Sequence, residues 1–169
     1  MKVDDKSSDI CWAAYINDIG VVRKLIDKGI SIESIDRDGR TPLLNSISGD
    51  NYDIDLTKML IDAGADVNSQ DSAGFTALHF CAQEKQPATA QLLINAGADV
   101  NLKDQWGNGP LGRSLGNTPE NAQIIELLIS SGADPYLKNE SDISPMDLVL
   151  RLKSHPNHSY FKALHESRS

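Results

Sequence analysis

Few side chains in this 169-residue chain could do chemistry: four histidines, two cysteines and one Gly-x-Gly. His155, His158 and His165 gather near the C-terminus, and imidazole is the commonest side-chain metal ligand. On a helix starting near position 158, His158 and His165 share one face with Glu166 beside them. A closed metal site needs about four donors at a recognisable spacing. Pro156 and Asn157 separate His155 from that helix, and no Cys or His pair elsewhere completes the set. Metal binding through these histidines therefore ranks third among the readings below. Gly107-Asn108-Gly109 is followed by Pro110 and Leu111, where a phosphate loop needs more glycine or a Lys-Ser/Thr pair, so it reads as a turn. No nucleophile elbow, zincin or kinase signature is present. The expectation is a chain that is no enzyme and holds no cofactor.

What positions these residues is a repeat. Gly29, Gly64, Gly97 and Gly132 are spaced by 35, 33 and 35 residues, the last three within Ala-Gly-Ala-Asp or Ser-Gly-Ala-Asp. Thr41-Pro42-Leu43-Leu44, Thr76-Ala77-Leu78-His79, Gly109-Pro110-Leu111-Gly112 and Ser144-Pro145-Met146-Asp147 keep the same spacings. A fixed period of this size signals stacked supersecondary units. Thr41 or Thr76 can cap a helix whose first position Pro42 suits. Leu78, Cys81 and Ala82 recur at helical spacing. Leu92-Leu93-Ile94 and Leu127-Leu128-Ile129 end a second helix, and Gly97 or Gly132 follows where a left-handed C-cap is wanted.

On these phrases the sequence resembles the ankyrin-repeat family, most closely over residues 71–101 (DSAGFTALHFCAQEKQPATAQLLINAGADVN) and at lower fidelity over nearly the whole chain. The resemblance implies an all-α fold, an ankyrin-repeat solenoid of helix-turn-helix units with β-hairpin-like fingers. One domain, 1–169, divides into units at roughly 3–35, 36–70, 71–103, 104–138 and 139–169. The first, beginning at Ser7-Ser8, and the last, with Asp142 in place of the turn glycine, read as caps. The family pattern makes His79 a tie between fingers and gives Asn68 and Asn101 a bracing role between units. It places Cys11 and Cys81 two units apart, too far for a disulfide.

The net charge is -8 with pI near 4.8. That excludes nucleic acid as a favoured partner, since phosphate binding needs clustered Lys and Arg, and favours a basic protein. No apolar run of 18 residues and no leader is visible, so neither a membrane span nor a secretory signal is expected. Two thiols fit a reducing cytosol, hence a cytoplasmic protein, a monomer when unbound.

In the ankyrin family the recognition surface comprises finger tips, opening turns and the exposed ends of first helices. Carried onto this chain, those positions are Arg37, Asp38 and Arg40; Ser72, Ala73 and Phe75; Gln105, Trp106 and Asn108; and Glu140, Ser141 and Ile143, with Tyr15, Ile16, Gln83 and Glu84 from the helix ends. Phe75 and Trp106 are expected to be exposed anchors at adjacent fingers, Trp106 alternatively folding over its own finger, while Trp12 is expected in the core. Two turns are lengthened, 48–53 and 116–120, and insertions of this kind map to one face of a solenoid. Asp50 and Asp53 lie in the first of them, in an acidic stretch with Asp55, Asp62 and Asp66 against Lys58 alone; a solvated face is the plainer account of that charge. The functional expectation is a protein-binding module, in its most specific form an inhibitor or immunity-type protein for a basic enzyme or toxin. The alternatives are a non-inhibitory scaffold or assembly chaperone and, third, the metal-binding protein.

Overall fold

The computed structural model describes residues 9–49, 52–115 and 121–167. Among the described residues ten α-helices pair in chain order: α1 (Ile10–Tyr15) with α2 (Ile19–Asp27), α3 (Pro42–Ser48) with α4 (Ile54–Asp62), α5 (Ala77–Gln83) with α6 (Pro87–Asn95), α7 (Pro110–Arg113) with α8 (Ala122–Ser130), and α9 (Pro145–Arg151) with α10 (His158–Glu166). First helices stack in one row, α1 on α3 on α5 on α7, and second helices in another, α4 on α6 on α8.

The punctuation follows the expected chemistry. Thr41 Oγ1 accepts from the Leu44 N–H at 3.4 Å at the start of α3. At the start of α9, Ser144 Oγ accepts from the Asp147 N–H (3.1 Å) while Asp147 Oδ2 accepts from the Ser144 N–H (3.1 Å), a reciprocal capping box. The second helices α2, α4, α6 and α8 end in Schellman turns: after α4 the Gly64 N–H reaches Ile61 O at 2.9 Å and the Ala65 N–H reaches Leu60 O at 3.0 Å. Between the rows lie Leu43, Leu44, Ile47, Leu56, Leu60, Leu78, Leu93, Ile124, Ile125 and Leu128, all buried. Each such side chain contributes about 1.5–3 kcal/mol relative to exposure.

Trp12, expected in the core, is 38 % exposed and stacks on Tyr15 with ring centroids 5.7 Å apart. Ile10, Cys11, Ala13 and Ala14 form the buried face of α1, and the helical period turns Trp12 off that face. The cap of α1 is Asp9, which accepts from the Cys11 and Trp12 N–H groups; Ser7 and Ser8 lie outside the described residues. Both cysteines are free and buried. Burial pushes the Cys11 thiol up to about 12 and the Cys81 thiol up as well.

Each finger opens with one repeated turn. The Oδ1 of Asp36, Asp71 and Asp104, and of Asn139, accepts the N–H groups two and four residues ahead. Neighbouring fingers are joined by single backbone hydrogen bonds: Ser72 N–H to Asp38 O, Gln105 N–H to Ala73 O and Glu140 N–H to Trp106 O, each 2.9 Å. Among the described residues these never extend into a strand, so the fingers are hairpin-like turns. Gly74 and Gly107 make the approach possible. Both have positive φ, and a Cβ there would lie 2.9 Å from Gln105 N and 2.8 Å from Glu140 N.

Along another edge, asparagines brace successive units. Asn68 Oδ1 accepts from the Asp99 N–H (2.8 Å) and its Nδ2 donates to Gly97 O (3.4 Å). Asn101 repeats both bonds, with the Asp134 N–H (2.8 Å) and Gly132 O (3.1 Å). Glu33 takes the corresponding place in the first unit: it accepts from the Asp66 N–H at 2.9 Å and, having no hydrogen to donate to a carbonyl, accepts a second bond from Ser69 Oγ at 3.3 Å.

Of the lengthened turns, Asp50, Asn51 and 116–120 lie outside the described residues. Tyr52, in the first of them, hydrogen-bonds through its hydroxyl to Thr89 Oγ1 of α6, so that part of the turn clamps α6 to the preceding helix pair.

Candidate protein-binding face

The first residue of each finger also sets what that finger presents. Asp36 Oδ2 accepts from Asn45 Nδ2 at 2.8 Å, and Asp104 Oδ2 accepts from Arg113 Nε at 2.5 Å, partners nine residues apart in both cases. In the intervening unit Phe80 occupies that helix position and has nothing to donate, so Asp71 Oδ2 pairs with Arg40 of the previous finger at 3.5 Å.

These two arginines end a continuous stack of cations and rings across three units. Arg40 Cζ lies 5.0 Å over the Phe80 ring, and Phe80 lies 5.5 Å from Phe75. Arg113 Cζ lies 4.9 Å from Phe75 and 4.8 Å from Trp106, and Trp106 meets Phe75 edge-on at 6.0 Å. Such cation–ring contacts are worth about 0.5–2 kcal/mol each, more as water is excluded.

Phe75 therefore differs from its expected exposure. It is 9 % exposed, because Phe80, His79, Arg113 and Trp106 surround it. Trp106 combines both expectations: one side rests on Arg113, yet it stays 48 % exposed. Arg37, Asp38, Ser72, Gln105, Glu140 and Ser141 are exposed along the finger tips, and Gln83 and Glu84 are exposed at the end of α5. Tyr15, Ala73 and Ile143 are half-buried. So is Asn108, whose Oδ1 accepts from Asn139 Nδ2 at 3.0 Å. Asp53 serves locally as the α4 cap, accepting from the Asp55 N–H at 3.0 Å. Asp55 and Asp62, the rest of that acidic stretch with Asp66, sit on α4 in the second-helix row. Arg113 is the residue that sequence reasoning missed; its signal is the nine-residue Asp-to-donor spacing shared with Asp36 and Asn45.

His79 ties fingers as expected. Its Nδ1 accepts from the Thr76 N–H at 3.1 Å, so Nε2 carries the hydrogen and donates to Asn108 O at 3.0 Å. Burial holds this imidazole below the ordinary histidine range. The C-terminal histidines are dispersed. His165 Nδ1 bonds the Tyr136 hydroxyl at 2.9 Å, and buried His155 accepts from the Asn157 N–H at 3.1 Å. Among the described residues no group of three or more His, Cys, Asp or Glu is placed to hold a metal, and no helix is long and apolar enough to cross a membrane.

A family model described as ankyrin repeats (3 copies) matches residues 10–104. An ankyrin repeat protein of Rickettsia bellii is 34% identical over 125 residues, covering 73% of this chain and 67% of that one. The serine/threonine-protein kinase VIK of Arabidopsis thaliana is 31% identical over 142 residues (83% and 24%). A fowlpox virus ankyrin repeat protein is 31% identical over 155 residues (88% and 19%). The chain thus spans about two thirds of the first relative and under a quarter of the other two.

Proposed function

The chain belongs to the ankyrin-repeat family, and from that premise we propose that it binds another protein, without catalysing a reaction, through the face formed by its finger tips and first helices. Ankyrin repeats in general mediate protein–protein interaction. The observation that carries the placement is the row of finger-to-finger backbone bonds, Ser72 to Asp38, Gln105 to Ala73 and Glu140 to Trp106, each 2.9 Å. They hold Arg37, Asp38, Ser72, Gln105, Trp106 and Glu140 in register at little further entropic cost on binding.

In its more specific form the proposal is a cytoplasmic monomer that blocks a basic enzyme. Support for this is the net charge of -8, which attracts a basic protein over long range. An activity assay on the captured partner separates inhibition from scaffolding, and an affinity that does not weaken with salt removes the electrostatic element. Trp106→Ala is expected to weaken capture by about 1–3 kcal/mol, measured by pull-down followed by calorimetry. Phe75→Leu, which keeps most of the buried volume, serves as the packing control, with capture retained. Capture equal to wild type in Trp106→Ala would move the binding face elsewhere.

A further inference from the structure

We propose that the partner engages this face with a carboxylate, an aspartate or glutamate side chain seated in the notch between the second and third fingers beside Arg40. The inference rests on the protein-binding reading above and names the chemistry that the face selects.

The notch exists because consecutive finger tips are long, short and long: Arg37-Asp38, Ser72-Ala73 and Gln105-Trp106. It opens as a space of roughly 340 Å³ with Asp71, Ser72 and Ala73 between Arg37, Asp38 and Arg40 on one side and Gln105 on the other. The Asp71 carboxylate in its floor is already engaged. Asp71 Oδ1 holds the Ala73 and Phe75 N–H groups, both at 2.9 Å, and its Oδ2 faces Arg40. The Asp71 side chain is 5 % exposed while that of Arg40 is 29 % exposed; for Asp104 and Arg113 the figures are 0 % and 24 %. In the notch an incoming group therefore meets more of the Arg40 guanidinium than of the Asp71 carboxylate.

Arg40 is also incompletely satisfied. Its Nε is buried and faces Asp71 Oδ2 at 3.5 Å without a hydrogen bond, which leaves the two Nη groups as the donors an incoming group reaches. Its guanidinium lies over the Phe80 ring, so its donors are approached along an edge. A planar carboxylate makes two parallel N–H···O bonds to such an edge, which a lysine ammonium or a neutral apolar side chain does not. The Ser72 hydroxyl and the Gln105 amide add neutral donors within the notch. Asp38, exposed at its rim, disfavours a run of acids and fits a single carboxylate. The net charge of -8 and the notch thus act at different ranges: the first draws a basic protein, the second selects one acid on it.

The test is selection of random displayed peptides on the immobilised full-length chain, repeated on Trp106→Ala, Arg40→Lys and Ser72→Glu, each first checked for an unchanged melting curve. Arg40→Lys keeps the charge beside Asp71 and removes the planar edge; Ser72→Glu places a carboxylate in the notch from an exposed position. Peptides that depend on Trp106 should share an Asp or Glu whose replacement by Lys or Gln weakens binding by about tenfold or more, with a similar loss on Ser72→Glu and Arg40→Lys. Trp106-dependent peptides that need no acid, or that carry Lys or Arg there, overturn this inference alone. Peptides indifferent to all three substitutions, or no enrichment, overturn the binding face as well.

Discussion

Replacing Asp104 by alanine is expected to lower the free energy of unfolding by about 2–4 kcal/mol, the cost of two turn N–H groups left unsatisfied and of a half-buried arginine left without its counter-ion. Its side chain is fully buried, accepts the Trp106 and Asn108 N–H groups at 2.9 and 3.0 Å and holds Arg113 Nε at 2.5 Å. Removing it leaves two turn N–H groups unsatisfied and strands an arginine whose Nη2 is already buried without a partner. The loss spreads, because this turn presents Asn108 O to His79 and Gln105 N–H to Ala73 O. Denaturant unfolding of Asp104→Ala, Arg113→Ala and the double variant measures it. The double variant should cost less than the sum, since the stranded charge is then gone. Asp104→Asn should fall between wild type and Asp104→Ala, because Asn139 makes the same pair of turn bonds in the next finger. A loss under about 1 kcal/mol for Asp104→Ala would mean that solvent reaches Arg113 and screens it.

Substitution of His79 by alanine is expected to cost about 2–4 kcal/mol, combining a lost N-terminal cap with an unpaired Asn108 carbonyl. The wild-type ring also makes stability depend on pH. Nδ1 accepts an N–H and burial holds the imidazole below its ordinary 6.5, so the native state keeps it neutral while the unfolded chain takes a proton. Stability is then complete above about pH 6.5 and falls as the medium is acidified below it, by at most about 1.4 kcal/mol per pH unit for this ring. Burial holds His155 low too, and it contributes in the same direction. Melting curves between neutral and mildly acidic pH should show this slope, reduced in His79→Gln. An unchanged slope would assign the acid sensitivity to other groups.

Most of the scaffold was legible in the sequence because the features that repeat answer backbone requirements. A left-handed C-cap selects glycine, so Gly64, Gly97 and Gly132, with φ between 92 and 95, mark the helix ends. A helix start tolerates proline, so Pro42, Pro110 and Pro145 mark the first row. Side chains that touch across units obey no such local rule. Phe75 aligns with Arg40, Asn108 and Ile143, a set giving no common signal, and its burial is decided by Phe80, Arg113 and Trp106. Trp12 looked apolar enough for the core, but four smaller residues already cover the buried face of its short helix. The finger tips were legible as positions for the same reason as the helix ends. The arginine edges within them were not, because they depend on which neighbour satisfies each buried aspartate.

The two buried thiols give the molecule a built-in clock. Cys11 Sγ lies 3.3 Å from Ser34 O, in α1, which stacks on α3 alone in the first-helix row, whereas Cys81 is sealed in α5 between α3 and α7. Detachment of the first described helix pair from the second uncovers the first sulfur; the second waits for the units around α5 to come apart. The moment at which each takes up a thiol reagent therefore dates a different event, parting of the first two helix pairs or opening around α5, within one unlabelled chain.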